Sequence, residues 1–140
     1  MDLKITNKRA LVTGATGGIG EETVKVLADE GVKLFLTDIK DSETDLKRIS
    51  EKYSCDYSVS DLGTCEGVDS FIEEVGFDFD IFVHTAGITG EKGDPLSMSE
   101  DGWADALNID FLSAVRLGRY IGPYMLEKIG AVWSSSHPRT

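Results

Sequence analysis

The stretch Thr13-Gly14-Ala15-Thr16-Gly17-Gly18-Ile19-Gly20 decides the fold. Before it lies Ala10-Leu11-Val12, a short apolar run that ends at glycine and reads as a buried strand. After it, Ile19, Thr23, Val26 and Leu27 repeat at helical spacing and stop at Gly31, a natural helix C-terminus. A glycine turn opening a helix offers free backbone N–H groups and a partial positive charge, which suits a phosphate. The next apolar run, Leu34-Phe35-Leu36-Thr37, is a second strand ending at Asp38, 18 residues beyond Gly20. Strand, glycine turn, helix, strand and acid, in that order, form the pattern of a dinucleotide-binding unit. Gly14 permits the tight turn, Gly18 lets the backbone approach a pyrophosphate, and Gly20 lets helix and strand pack closely. Asp38 is placed to accept hydrogen bonds from ribose hydroxyls and would repel a 2′-phosphate, so NAD is expected in preference to NADP. Lys40 is the only cation nearby in sequence.

Working outward, residues 44–53 read as a polar helix carrying Leu46 and Ile49, and residues 55–59 as a third strand. Val68, Phe71, Ile72 and Val75 mark an amphipathic helix, and residues 80–84 a fourth strand. After a loop at residues 89–94, Ser97 or Ser99 caps a long helix with Trp103, Leu107, Phe111, Val115 and Gly118 on one stripe. Trp103 reads as core packing. The helix is expected to reach or pass Pro123, and Ala131-Val132-Trp133 opens a fifth apolar run, read as a strand. Strands buried on both faces and alternating with helices predict an α/β protein: a Rossmann-type, doubly wound parallel sheet with helices on both faces. No linker interrupts it, so residues 1–140 are expected to form a single NAD-binding domain.

Composition narrows the function. The formal charge of −11, with 14 Lys and Arg scattered among 25 acids, argues against nucleic acid or an anionic membrane surface as partner. No apolar run has the length a bilayer requires, and residues 1–4 lack signal-peptide character. Cys55 and Cys65 have no CxxC spacing and read as reduced cytosolic thiols, so a cytoplasmic location is expected. Two distant histidines suggest no metal site.

The sequence resembles the short-chain dehydrogenase/reductase family. Thr13–Gly20 has that family's glycine spacing, Asp61-Leu62 resembles its adenine-contacting pair, and His84-Thr85-Ala86-Gly87 resembles its Asn-Asn-Ala-Gly motif. The last departs at its first two positions, which puts the family's side-chain contacts there in doubt. Trp103 followed by Asn108 resembles the family's long helix, whose asparagine helps hold a catalytic water. The resemblance implies the strand order 3-2-1-4-5 and hydride transfer between NAD(H) and a small alcohol or carbonyl. It implies cofactor contacts at Gly14, Thr16, Gly18, Ile19, Gly20, Asp38, Ile39, Asp61, Leu62, Ala86 and Gly87. Asn108 and Ser136 are the candidate catalytic residues, and Ser136 is the serine expected to close the fifth strand.

In the family a Tyr-xxx-Lys follows that serine, with tyrosine as general acid/base. Here the chain ends at Thr140 before any such motif. Tyr124 and Lys128 have the right local spacing but precede the fifth apolar run, so they are expected to be a decoy. The expectation is therefore a sheet incomplete at its C-terminal side, truncated after the fifth strand. The alternative to an active enzyme is a module that binds cofactor without turnover. The polar tail after Val132 fits a reading-frame slip: if the serines use TCN codons, reading from the third base turns each Ser-Ser junction into an NTC codon, which encodes Phe, Leu, Ile or Val. A chain ending there would leave Leu107, Phe111 and Val115 uncovered, favouring homo-oligomers or other association through the long helix.

Overall fold

The computed structural model describes residues 3–90 and 92–136, with side chains to residue 129. Four strands, β1 (Arg9–Thr13), β2 (Lys33–Asp38), β3 (Asp56–Val59) and β4 (Ile81–His84), form one parallel sheet in the order β3-β2-β1-β4. Helices α1 (Gly18–Asp29), α2 (Glu43–Tyr53) and α3 (Cys65–Val75) connect them. After β4 come α4 (Glu100–Leu107), a π-helical stretch (Asn108–Leu112) and α5 (Ser113–Ser136). Ser99 caps α4, its hydroxyl accepting from Gly102 N–H at 3.0 Å.

Alternation along β1 builds two cores, one on each face of the sheet. Ala10 and Val12 pack with Leu34, Leu36, Val24, Leu46 and Ile49 beneath α1 and α2. Leu11 points the other way, onto Val68, Phe71, Phe79, Leu117 and Ile121 beneath α3 and α5. That division is what a doubly wound sheet requires. In register, Thr13 lies beside Thr37 on one side and His84 on the other, at the strands' C-terminal ends.

Three expectations need correcting. The fifth strand is absent from the described residues, because α5 continues through residues 131–133 to Ser136. Ala131-Val132-Trp133 is only three residues long and runs into serines. A helix already growing from Ser113 pairs each backbone group locally, so these residues meet their hydrogen bonds without leaving the helix for the free edge of β4. Pro123 sits inside α5 without ending it. Consequently β4 is an edge strand among the described residues and only half-buried along its whole length, although Ile81 and Val83 pack on one core and Phe82 on the other. Finally, Trp103 is 47 % exposed and is not core packing. It lies with exposed Leu107, Phe111 and Val115 on the face of the long helical segment that the sheet does not cover.

The buried hydroxyl of Thr37 has no hydrogen-bond partner among the described residues. An unmet buried polar group costs about 1–3 kcal/mol, so an isosteric apolar replacement should be favourable. Thr37→Val is expected to raise unfolding stability by about 1 kcal/mol in urea titration. A loss of stability would show that the hydroxyl is satisfied in solution.

Candidate functional site

The parallel strands deliver Thr13, Asp38 and His84 to one edge of the sheet, and the glycine turn lies across that edge. Gly14 has φ of +63°, and a Cβ there would stand 2.5 Å from Ala86 N. A Cβ on Gly20 would stand 2.2 Å from Gly14 O. Both positions therefore admit only glycine. Gly18 is different: a Cβ there would meet nothing within 4 Å, so the space over this backbone is open. Gly17 is the N-cap of α1 and contributes no capping side chain. The start of α1 is thus an open cradle with its helix dipole directed into it, which fits a phosphate group. Ile19, 77 % exposed, stands at its lip.

The cradle's charge is arranged locally. Glu21, in the first turn of α1, would oppose an anion, but Arg48 of α2 holds it with two bonds of 3.1 and 3.2 Å. The Arg48 guanidinium keeps the Glu21 carboxyl below its ordinary value. Asp38 Oδ2 accepts from Thr16 N–H at 3.0 Å and from the Thr16 hydroxyl at 2.7 Å. Its Oδ1 accepts from Ile39 N–H at 2.9 Å, and Ile39 itself is largely exposed.

Behind the turn, β4 is stapled to β1 through side chains. The Thr85 hydroxyl donates to Thr13 O at 2.7 Å. His84 Nδ1 lies 2.8 Å from Thr13 Oγ1, and Nε2 lies 3.0 Å from Ser113 Oγ. Because the Ser113 hydroxyl donates to Ile109 O, it must accept from Nε2–H, which leaves Nδ1 to accept from Thr13. The chain of bonds is complete only with a neutral imidazole. Burial holds the His84 pKa below its ordinary 6.5, against weaker opposite pulls from the Ile109 carbonyl and Asp110.

The remaining sequence-predicted residues fall unevenly. Ala86 and Gly87 sit beside the glycine turn, in the segment that Gly14 abuts. Asp61 Oδ1 accepts from Gly63 N–H at 2.9 Å, closing a turn after β3, while the Leu62 side chain is buried in the α3–α5 core. Only the main chain of Leu62 is left to meet a ligand. Asn108 is tied to its own helical segment: its amide donates to Ala104 O at 2.9 Å and its Oδ1 accepts from Arg116 at 2.8 Å. The residue that reaches the β4 loop is Asp110, whose Oδ1 accepts from Ile88 N–H at 2.7 Å. Sequence reasoning missed Asp110 because the π-helical stretch shifts the phase of the helix there. Ser136 is the last residue of α5, not a strand end, and its side chain lies outside the described residues. Residues 137–140 of the tail also lie outside them. Tyr124 and Lys128 are remote from the cradle: Lys128 pairs with Asp80, just before β4, at the opposite edge of the sheet. No group of three potential metal ligands occurs among the described residues.

Fold and cradle define a Rossmann-type α/β protein. The chain matches the family model described as "Enoyl-(Acyl carrier protein) reductase" over residues 14–137. It is 30% identical over 132 residues to the uncharacterized oxidoreductase YvrD of Bacillus subtilis, covering 91% of this chain and 50% of YvrD. It is 30% identical over 131 residues to the 3-oxoacyl-[acyl-carrier-protein] reductase FabG of Salmonella typhimurium, covering 90% of this chain and 52% of that protein. The crystal structure of L-sorbose reductase from Gluconobacter frateurii, complexed with NADPH and L-sorbose, superimposes with a TM-score of 0.75 at 30% identity. That match covers 91% of this chain and 51% of the reductase. The chain belongs to the short-chain dehydrogenase/reductase family of oxidoreductases. It spans about half the length of the curated relatives it matches.

One consequence of the His84 network can be measured. A histidine held neutral by the fold adds stability above its unfolded pKa of about 6.5, and that stability is lost as pH falls through the lower folded value. Wild-type stability is expected to decline below about pH 6.5, ahead of the carboxylates, and His84→Asn to flatten that part of the profile. Equal slopes in the two proteins from pH 7 to about 5 would contradict the neutral network.

Proposed function

We propose that the protein binds NAD(H) in the cradle between Gly14 and Gly20 and serves hydride transfer between it and a small alcohol or carbonyl compound. The observation that carries this reading is the open backbone at Gly18 with the pinned Asp38 carboxylate beside it. The nicotinamide dinucleotide would supply or accept the hydride. The chain's own residues would bind and orient it: the start of α1 for the pyrophosphate, Asp38 and Ile39 for the adenosine ribose, Asp61 and the Leu62 main chain for the adenine side. Ala86 and Gly87 would border the nicotinamide half. The L-sorbose reductase relative carries NADPH. Here a fixed carboxylate stands where a 2′-phosphate would need a cation, which supports NAD. The nearby cations are engaged, Lys40 with Glu43 and Arg48 with Glu21.

The hydride-transfer activity is proposed for the whole protein, since this chain covers half of its relatives' length. Asn108 and Ser136 stand as catalytic proposals on family resemblance alone. The same reading includes a cytoplasmic setting, supported by the unpaired thiols of Cys55 and Cys65. It also includes association of copies through the uncovered stripe of Leu107, Phe111 and Val115. Among the described residues no helix is long and apolar enough to cross a membrane.

Fluorescence titration tests the binding claim. NADH is expected to bind at least about tenfold more tightly than NADPH, and Asp38→Asn to shrink that gap to about threefold or less. A wild-type preference for NADPH would overturn the cofactor assignment.

A further inference from the structure

Residues 86–88 leave the end of β4 and become exposed from Gly87 onward. Among the described residues, two hydrogen bonds tie this stretch to its surroundings. Ala86 N–H donates to Thr13 Oγ1 at 3.4 Å, and Ile88 N–H donates to Asp110 Oδ1 at 2.7 Å. Both acceptors face one side chain, His84. The Thr13 hydroxyl of β1 lies 2.8 Å from its Nδ1, and Asp110 is the one charged group facing the ring among the described residues. The other neighbours are uncharged: the Ser113 hydroxyl of α5, the Ile109 carbonyl of the π-helical stretch, and the Phe82 ring on β4 itself.

A neutral imidazole satisfies every group in this chain of bonds. Thr13 donates its proton to Nδ1 and keeps a lone pair for Ala86 N–H. A proton taken from solvent forms an Nδ1–H bond, and both ring nitrogens then donate. Thr13 Oγ1 must now accept from Nδ1, so its own proton loses its acceptor. Thr13 is fully buried, and its hydroxyl has no other acceptor among the described residues. An unmet buried donor at Thr13 and a new positive charge facing Asp110 therefore disturb both ties at once.

We propose that His84 is an acid-sensitive latch: the neutral ring holds residues 86–88 against β1 and the π-helical stretch, and its protonation lets them open. Thr85 is held separately, its hydroxyl donating to the Thr13 and Gly14 carbonyls, so the opening begins after it. Burial opposes the charged ring, which places the opening below the ordinary histidine value of 6.5. The device differs from the general decline in stability already expected there, because one segment opens while the rest of the chain stays folded. It belongs to the ligand-free chain and does not depend on the cofactor reading.

The test is a titration of the ligand-free chain from about pH 7.5 to about pH 5 by nuclear magnetic resonance, following the His84 ring signals and amide hydrogen exchange. After correction for base catalysis, exchange at Ala86 and Ile88 is expected to rise about tenfold, with the same midpoint as the ring. Amides inside α1 are expected to keep their protection. His84→Asn, whose amide offers one donor and one acceptor without titrating, is expected to hold exchange constant across the range. His84→Gln offers the same pair if the Asn protein does not fold, and the two wild-type midpoints decide if neither does. Ring titration without a matching rise in exchange overturns the proposal. So does a rise that persists in the variant, or one shared equally with α1.

Discussion

Three lengths of backbone meet at Gly14 with no room for a side chain on either contact. The turn itself presses on the β4 loop at Ala86, and the first helical turn presses back on Gly14 O at Gly20. This close approach brings the start of α1 to the sheet edge, where its unpaired N–H groups face outward over Gly18. It also sets the position of everything attached to the strand ends: Thr13 and its bond to His84, Thr85 on the Thr13 carbonyl, and Asp38 across from Thr16. Side chains at Gly14 or Gly20 would have to push the helix, the strand and the β4 loop apart together. The cradle is therefore a property of the backbone, and the side chains around it adjust its charge.

That adjustment reconciles a strongly acidic chain with the proposed role of the cradle in binding an anion. A net charge of −11 spread over the surface is screened beyond a Debye length, about 8–10 Å at ordinary salt. Within that range the local groups decide. Arg48 cancels Glu21 at the helix start, while Asp38, at the end of β2, has no ion-pair partner among the described residues. The proposed attraction for phosphate and rejection of a 2′-phosphate can thus stand side by side, because each would be set by its nearest neighbours. Overall acidity bears on nucleic-acid partners, not on a dinucleotide held by a helix terminus.

The first 38 residues were the most legible part of the molecule. Their strands and helix carry clean periodicities, and glycine needs no neighbours to reveal where a turn must be tight. Asp38 could be placed at a strand end from its spacing alone. Its bonds to Thr16 could not, because they depend on a side-chain rotation set by the fold. Legibility fell along the long helix. The π-helical stretch moves the phase, so that Asp110 and not Asn108 meets the β4 loop. Trp103 looked like core because helical spacing gives a stripe without saying whether anything covers it. Residues 131–133 show the weakness of a short apolar run, which fits strand and helix equally until tertiary context chooses.

Whether the backbone cradle from Gly14 to Gly20, with Asp38 beside it, holds a dinucleotide as proposed can be read amide by amide. The most direct test is an amide-resolved nuclear magnetic resonance titration of the chain with NADH. Saturable shifts are expected, concentrated at Thr16 to Gly20, at Asp38 and Ile39, and at Ala86 to Ile88. Shifts centred elsewhere, such as the α3–α5 cleft lined by Asp69, Arg116 and Tyr120, or no saturable shift at all, would contradict it.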